Sequence, residues 1–201
     1  MSRTPKNRDS YHHGNLPDTL IKDGAELLAE VGVEGFSLRK LALRTGVTVA
    51  APSHHFGSAR GLLTAIATEG FKRLAYKMKS AALSEGTLED AVFLMCNAYY
   101  ETRVTDTGYA TVMFRLDLLD ATDDRFMAQA AYAFGLFEER LAKAASEETE
   151  AEQVSIVAKA LWATTHGLSN LPMIEDRESE QILRSTVKAH IRLLRSSAQS
   201  Q

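Results

Sequence analysis

The sequence predicts an all-α protein, with an N-terminal three-helix helix-turn-helix domain followed by a longer C-terminal helical domain. Apolar residues recur at intervals of three and four along most of the chain, which is the period of an amphipathic helix. No segment shows the alternation of apolar and polar residues that marks a half-buried strand. The 4 prolines, at positions 5, 17, 52 and 172, read as punctuation between helices.

The composition is that of a soluble globular chain. Its 201 residues are 45% hydrophobic and 24% charged, which is ordinary for one large domain or two small ones. The single cysteine, Cys96, cannot form an internal disulfide. The longest apolar run, residues 91–96, is far shorter than the roughly 20 residues that span a bilayer, and residues 1–10 are polar, unlike a signal peptide. We therefore expect a cytoplasmic protein with no membrane partner and with no metal or cofactor.

The charge is unevenly distributed along the chain. Residues 1–80 hold 12 basic and 7 acidic side chains, whereas residues 81–201 hold 11 basic and 19 acidic ones. Such an asymmetry suggests that the first part meets a polyanion and the second does not.

The first helix is predicted to begin at Leu16, because Pro17 and Asp18 suit the first turn of a helix. Its apolar stripe ends before Gly32, a residue that favours helix termination. The stripe consists of Leu20, Ile21, Ala25, Leu27, Leu28 and Val31.

Three more helices are predicted within the first 80 residues. Ser37 is placed to cap a short second helix, which ends at Gly46. Thr48 is placed to cap a short third helix that runs to about His55, and a longer fourth helix begins at Ser58. The inward-facing residues of the fourth helix are Leu62, Leu63, Ile66, Leu74 and Met78.

Four longer apolar stripes follow the segment 84–87, which is the best candidate for a domain boundary because the charge changes sign there. They predict helices separated by breaks near 105–108, 121–124, 146–150 and 171–176. The stripes are Leu88, Val92, Met95 and Tyr99; Phe126, Ala130, Phe134, Phe137 and Leu141; Val154, Val157, Leu161, Thr165 and Leu168; and Leu183, Val187, Ile191 and Leu194. The predicted domains are residues 11–75 and 84–197.

Residues 37–56 have the arrangement of a helix-turn-helix: a short helix, a glycine turn and a second short helix that ends in an aromatic residue. In that motif the first helix supports the second, the recognition helix, in the major groove of DNA. The residues placed to hold the two helices together are Leu38, Leu41, Ala42, Val47 and Phe56. The spacing alone fits an ordinary two-helix corner equally well.

The remaining polar and small residues of this region are the candidates for contact with DNA. Cations neutralise phosphates and make affinity fall with salt, and the candidates for this role are Arg39, Lys40, Arg44 and Arg60. The candidates for reading bases are Thr48, Val49, Ala50, Ser53 and His54. Ser37 and Thr45 complete the set. His55, beside Phe56, either contacts phosphate or is packed as a structural histidine.

The stretch from Tyr11 to about Leu74 resembles the DNA-binding domain of the TetR (tetracycline-repressor) family of transcriptional regulators. The resemblance is carried by YHHGNL at 11–16, AELLAEVGVEGFSLRKLALRTGV at 25–47 and HFGSARGLL at 55–63. The opening YHHG and the AAP at 50–52 are similar to one branch of the family, whose C-terminal domain has a Trp–His–Gly signature. Here LWATTHGL at 161–168 is similar to that signature.

Two positions depart from the family pattern. Ser53 stands where the family commonly has a tyrosine that touches the DNA backbone, and Ala59 stands where it commonly has a lysine. The neighbouring Arg60 is expected to take over a phosphate contact near the start of the fourth helix. Both changes leave the fold intact and alter operator affinity and sequence preference.

The resemblance also implies an apolar cavity in the C-terminal domain, where a small molecule binds and alters the spacing of the DNA-binding heads. Each aromatic residue there is alternatively a plain core residue. Trp162 and His166 share a helix face, with His166 either offering a hydrogen bond to a ligand or packed beside the tryptophan, and Gly167 allowing close helix packing. The predicted ligand-binding residues are Phe93, Tyr99, Met113, Phe114, Phe134, Phe137, Trp162 and His166.

The last two apolar stripes suit a helix pair that forms a four-helix bundle with a second copy of the chain. A dimer also follows from the expected function, because two recognition helices about 34–36 Å apart can read a palindrome on one face of DNA. The sequence thus predicts a homodimeric repressor, not an enzyme, whose partners are a palindromic operator in double-stranded DNA and an unknown small-molecule effector.

The alternatives are a helical enzyme and a helical dimerisation module that does not bind DNA. The histidine pairs 12–13 and 54–55 are adjacent, which is not the spacing that places two ligands on one helix face. The aspartates at 117, 120, 123 and 124 are typical of a solvated surface and a helix cap, and Cys96 is typical of a small core residue. A dimerisation module, for its part, has no need of basic residues in its first 80 positions.

Overall fold

Helices make up the secondary structure of the part of the chain that the computed structural model describes, residues 16–83, 86–145, 147 and 149–196. In chain order they are α1 (Leu16–Gly35), α2 (Leu38–Thr45), α3 (Ala50–Phe56), α4 (Ala59–Ala82), α5 (Leu88–Thr105), α6 (Thr107–Met113), α7 (Asp124–Ala142), α8 (Ala151–Asn170) and α9 (Asp176–Ser196). The prediction of an all-α fold is confirmed. Among these helices, none combines the length and apolar character needed to cross a membrane.

Most helix ends follow the predicted signals. Ser37 caps α2 by accepting a hydrogen bond from the Lys40 amide at 3.2 Å. Gly46 ends the same helix in the left-handed conformation, with φ 73°, where a residue with a Cβ is disfavoured. Ser58 caps α4 in the same way as Ser37, through the Gly61 amide. Within α1, the chain leaves helical geometry at Gly32, with φ 67°, so the predicted interruption is present.

Two local predictions are wrong. Thr48 does not cap α3: the N-cap position is Val49, which makes no side-chain cap, and Thr48 contributes only its carbonyl, which accepts from the Ala51 amide. The segment near Gly108 is also more than a break, because Thr107–Met113 forms α6 directly after α5. The turn between these helices is made at Asp106, whose amide donates to the Thr102 carbonyl.

The predicted stripes form one continuous core. Its largest fully buried side chains include Phe126, Phe137, Leu28 and Met95. Nearly all the inward-facing residues named from the sequence are buried or partly buried, and Val31, at 37% exposure, lies at the rim. The core therefore runs through both halves of the chain without interruption.

The central element is α4, which packs against α1, α3, α5, α6 and α7. This helix continues to Ala82, past the predicted end of the first domain at residue 75. Of the predicted boundary segment, residues 84 and 85 lie outside the described residues, and Thr87 caps α5 in a capping box with Asp90. The two-domain division stays a prediction, and α4 is the element that both parts share.

Two glycines allow α6 to lie against α1 and α4. A Cβ added at Gly108 would meet the Ala25 carbonyl oxygen of α1 at 1.8 Å, and one added at Gly70 of α4 would meet Met113 of α6 at 2.7 Å. Since a Cβ cannot approach a backbone oxygen that closely, Gly108 is required by the packing of α6 on α1.

Candidate DNA-binding surface and ligand cavity

The helix-turn-helix is formed by α2 and α3, joined by the turn at Gly46. The Val47 amide donates to the Ala42 carbonyl at 3.0 Å, which fixes how the chain leaves α2. Leu41 and Ala42 are fully buried, and Leu38, Val47 and Phe56 pack against the same core. The prediction for the residues that hold the two helices together is confirmed.

The exposed surface of α3 contains most of the predicted base-reading residues. Thr48, Ala50, Ser53 and His54 are exposed, and the Val49 side chain is 58% exposed. His55 is exposed as well and not packed in the interior. This surface carries no lysine, arginine or carboxylate, since α3 contains none. Its sequence preference would therefore depend on short hydrogen bonds and apolar contacts.

Two residues of the predicted DNA-binding set are placed differently: Thr45 is buried, and Arg44, although exposed, is paired with carboxylates of α1. Thr45 is only 3% exposed, which contradicts a position near the groove. Arg44 donates to both carboxylate oxygens of Glu30, at 2.9 and 2.8 Å, and to Glu26 at 2.8 Å. These hydrogen bonds, first to Glu26 and then to Glu30, raise the pKa of the Arg44 guanidinium. Arg44 therefore joins α2 to α1, and its charge is already neutralised within the protein.

Arg60 also departs from its predicted role. Its guanidinium donates to the carbonyls of Asp117 and Leu119, in the segment between α6 and α7, and not toward the recognition helix. Lys40 donates to the Gly35 carbonyl at 2.7 Å but stays exposed, and Arg39 is exposed on α2. The cations best placed for phosphates are thus Arg39 and Lys40, with Ser37 beside them as the cap of α2. The basic residues at 3, 6 and 8 and the YHHG motif lie outside the described residues.

A cavity of about 390 Å³ lies between α5, α6 and α8. This volume is within the range of about 300–1,000 Å³ that is typical of ligand pockets. The lining residues are Tyr99, Thr102, Arg103, Thr107, Ala110, Thr111, Met113, Phe114, Arg115, His166, Ser169 and Asn170. The lining therefore combines apolar surface at Tyr99, Met113 and Phe114 with hydroxyl, amide and guanidinium groups.

Four of the eight predicted ligand-binding residues line this cavity: Tyr99, Met113, Phe114 and His166. Three others form an aromatic layer behind it, with the Trp162 ring 4.7 Å from Tyr99, 5.5 Å from Phe134 and 6.2 Å from Phe137 between centroids. They support the cavity wall without lining it.

Phe93 lies elsewhere. It is buried between α5 and α9, and the guanidinium of Arg184 lies 3.7 Å from its ring centroid. Because this cation–π contact joins two helices, Phe93 is a packing residue, and its assignment to the ligand site is corrected. Tyr109, whose ring lies against the guanidinium of Arg73, is a packing residue as well.

Tyr99 and His166 share a hydrogen bond of 2.8 Å between the phenol oxygen and Nδ1. Burial lowers the pKa of His166, so its neutral form is favoured, and burial raises the pKa of Tyr99. The Phe114 ring lies 4.6 Å from the His166 ring, on the side of the cavity. This wall therefore offers neutral hydrogen-bonding groups within an aromatic surface.

The threonines, the arginines, Ser169 and Asn170 of the cavity are not among the sequence predictions. Thr102 and Arg103 follow Tyr99 on α5 at the i+3 and i+4 positions, and Ser169 and Asn170 follow His166 on α8 at the same spacing. Residues at that spacing share a helix face. These polar residues were therefore predictable from the sequence, because each shares a helix face with a predicted ligand-binding residue.

The residues considered for catalysis have structural roles. Cys96 is buried, and burial raises the pKa of its thiol to about 12, so the thiolate is disfavoured at neutral pH. Asp123 caps α7 by accepting from the Phe126 amide at 2.9 Å. Asp120 accepts two hydrogen bonds from Thr122, and Asp117 pairs with Arg115. These contacts confirm the interpretation of Cys96 as a core residue and of the aspartates as a capped, solvated segment.

Comparison with known proteins identifies the N-terminal unit. Residues 20–66, from α1 to the first part of α4, match the model of the family described as bacterial regulatory proteins, tetR family. Over 51 residues the chain is 49% identical to the tetracycline repressor protein class A from transposon 1721 of Escherichia coli. That match covers 25% of this chain and 24% of the repressor, so only about a quarter of the relative is represented.

The whole fold is similar to solved structures. A protein with unknown function from Rhodococcus sp. RHA1 has a TM-score of 0.76 at 25% identity, over 92% of this chain and 98% of that one. The TetR-family transcriptional regulator from Streptomyces coelicolor has a TM-score of 0.66 at 18% identity, over 89% and 98%. The TetR family transcriptional regulator PfmR from Thermus thermophilus has a TM-score of 0.62 at 19% identity, over 86% and 97%.

The described residues thus combine a helix-turn-helix with a helical C-terminal part that contains a cavity. Residues 20–66 match the N-terminal domain of the tetR family, and the fold is similar to that of solved TetR-family regulators. The assignment to the branch with the Trp–His–Gly signature stays a prediction.

Proposed function

We propose that the chain is a homodimeric repressor that binds a palindromic operator and releases it when a small molecule enters the cavity. The observation that carries this proposal is that α6 is shared by the cavity and the DNA-binding head. Thr107, Thr111 and Met113 of α6 line the cavity. The same helix packs against α1 and α4, which hold α2 and α3 in place.

The segment after α6 makes a second connection to the head. Arg60, at the start of α4, donates to the carbonyls of Asp117 and Leu119, and the Asp120 amide donates to the Thr64 hydroxyl at 2.9 Å. Arg115, in the same segment, lines the cavity. A ligand that displaces α6 or this segment would therefore also displace α4.

Release of the operator requires two states of the protein. Without ligand the two heads sit at operator spacing, and the ligand favours a state in which α4 has shifted and the heads are farther apart. The ligand can shift this equilibrium only by as much as its affinities for the two states differ. By linkage, operator DNA must weaken ligand binding by the same factor that the ligand weakens DNA binding.

The exposed faces of α8 and α9 support a dimer. On α8, Ile156 is 58% exposed, and the small residues Ala160, Ala163 and Gly167 follow it at helical spacing. A Cβ added at Gly167 would meet nothing within 4 Å. Gly167 therefore does not serve helix packing within the described part of one chain. On α9, Leu193 is 54% exposed. Such apolar surface on adjacent helices fits a four-helix bundle with a second copy.

The DNA-binding half of the proposal is tested by selecting bound sequences from random DNA and measuring affinity for the selected operator. Replacing Thr48 and His54 by Ala is expected to weaken operator binding at least about tenfold, because each base contact contributes about 1–3 kcal/mol. A double variant on α7, with the half-buried Gln129 and the exposed Tyr132 both changed to Ala, is the control and should bind as the wild type does. Unchanged affinity of the Thr48/His54 variant would place the recognition surface elsewhere.

The dimer is tested by analytical ultracentrifugation. Ile156→Glu combined with Leu193→Glu places like charges on the proposed interface, and we expect a folded monomer that has lost operator binding. Met127→Glu, a half-exposed position on α7, should stay dimeric. A wild-type protein that sediments as a monomer would contradict the proposal, since a single recognition helix as short as α3 binds weakly.

A further inference from the structure

The charged residues that line the cavity are all basic. Of its lining residues, Arg103 and Arg115 carry a positive charge and none carries a carboxylate. His166 adds no positive charge, because burial lowers its pKa and favours the neutral ring. The other polar groups are hydroxyls of threonine, serine and tyrosine and the amide of Asn170. The cavity thus combines apolar surface with two guanidinium groups.

Both guanidinium groups are paired with carboxylates outside the cavity wall. Arg115 donates to Asp117 from Nε at 3.0 Å and from Nη2 at 2.9 Å. Arg103 lies 3.7 Å from Asp176 and stacks over the Tyr100 ring. The arginines are 45% and 46% exposed, and their partners are 82% and 61% exposed. Ion pairs this exposed contribute little to stability, so a ligand can compete with them.

The donor count leaves room for a ligand. A guanidinium has five N–H donors, and the contact with Asp117 uses two of those on Arg115. The remaining donors suit the two oxygens of a carboxylate, which arginine binds in a planar, bidentate manner. In a partly enclosed cavity, such charge-assisted hydrogen bonds are stronger than those between neutral groups.

We propose that the effector is an organic anion, a carboxylate on an apolar body, whose charged end binds Arg103 and Arg115 and whose apolar end packs against Tyr99, Met113 and Phe114. This inference rests on the proposed function in one respect, that the cavity is the effector site. A neutral ligand would leave the two guanidinium groups without a new partner, and a cationic ligand would be repelled by them.

The test uses matched pairs of probes in calorimetric titrations of the full chain: 4-phenylbutanoate against 4-phenylbutanamide, and octanoate against octanamide. Each pair has the same apolar body and differs in charge. We expect each acid to bind the wild type at least about tenfold more tightly than its amide, the effect of one charge-assisted hydrogen bond or more. Trp162, the single tryptophan, packs on Tyr99 and should change its fluorescence only when a probe enters the cavity.

Variants test whether Arg103 and Arg115 cause the preference for acids over amides. Arg103→Gln with Arg115→Gln should reduce the preference for acids to less than about twofold, whereas Arg103→Lys with Arg115→Lys should retain part of it. Arg125→Gln, the same change at an exposed position of α7, should retain all of it. Circular dichroism checks that each variant is folded.

The inference is overturned if amides bind the wild type as tightly as acids, if the preference survives in the double glutamine variant, or if neither acid binds at millimolar concentration. These titrations contain no DNA. A protein that prefers acids but binds no selected DNA would overturn the proposed function alone. A protein that binds its operator and takes acids and amides equally would overturn only the anionic class of the effector.

Discussion

The helices α3 and α6 are equally short, with seven residues each, and neither has a side-chain N-cap. They nevertheless differ in how much of each helix is buried. Only Pro52 is buried in α3, whereas Gly108, Tyr109, Val112 and Met113 are all buried in α6. One helix presents its side chains to solvent, and the other is enclosed by α1, α4 and α5.

This difference indicates how the molecule separates recognition from response. Substitutions on exposed positions usually change stability by less than about 0.5 kcal/mol, so α3 can vary with the operator at little cost to folding. Substitutions in α6 disturb close packing, which transmits displacement because packed interiors do not deform continuously. The comparison predicts that changes in α3 affect DNA binding alone, and that changes in α6 affect folding and ligand response.

The largest expected effect is a loss of stability in a variant that disrupts the packing of α6. Gly108→Ala places a Cβ where the Ala25 carbonyl oxygen lies 1.8 Å away, so α6 must move, and we expect a loss of about 3 kcal/mol in the free energy of unfolding. Gly135→Ala in α7 is the matched control, since its added Cβ meets nothing within 4 Å. Because alanine is the better helix former, that variant should gain about 0.5–1 kcal/mol.

Urea unfolding followed by circular dichroism measures both values, and Ser53→Ala provides the corresponding value for α3, expected to stay within about 0.5 kcal/mol of the wild type. If Gly108→Ala and Gly135→Ala gave the same result, α6 would not be wedged against α1, and the contrast between the two short helices would fail.

The same contrast explains which helices the sequence predicted. The helix α3 was predicted because Gly46 ends α2 before it and Ser58 marks the start of α4 after it, and both signals are local in the sequence. In α6, Gly108 is a packing residue, yet in sequence it has the appearance of a helix break. Its reason lies in Ala25, 83 positions earlier, and periodicity within a short segment does not report such a contact.

In the candidate site, too, features set by local sequence were predicted and contacts with distant residues were not. Tyr99 was predicted to turn inward because it lies in a helical apolar stripe, whereas the ligand site at Tyr99 and Phe114 was implied by the family resemblance. The roles of Arg44 and Arg60 were not predicted, since their partners lie 14 to 18 and 57 to 59 positions away in the sequence. An arginine near a helix-turn-helix has the same sequence signature whether it faces DNA or a glutamate of α1.

An intermediate effect is expected for the two arginines of α2, which should differ in their contributions to DNA binding and to stability. Arg39→Gln is expected to reduce the slope of log affinity against log salt by about 0.9, the contribution of one neutralised phosphate. Arg44→Gln should leave that slope unchanged and lower the free energy of unfolding by about 1 kcal/mol, because it removes the ion pairs with Glu26 and Glu30. Fluorescence anisotropy with operator DNA at several salt concentrations, together with urea unfolding, measures both. The opposite pattern would show that Arg44 leaves the glutamates and contacts DNA.

The smallest expected effect is a change in the pH dependence of stability caused by His166, the α8 residue that lines the cavity beside α6. Burial lowers the pKa of His166 below its ordinary value of 6.5 in the folded protein. The unfolded chain then binds more protons than the folded one around and below pH 6.5, so this group makes stability fall as the pH drops from 7.5 through that value. His166→Asn should therefore lose less stability than the wild type between pH 7.5 and 5.5. Equal losses in wild type and His166→Asn would mean that solvent reaches His166 as freely as it reaches α3, and the wall would then be an open surface.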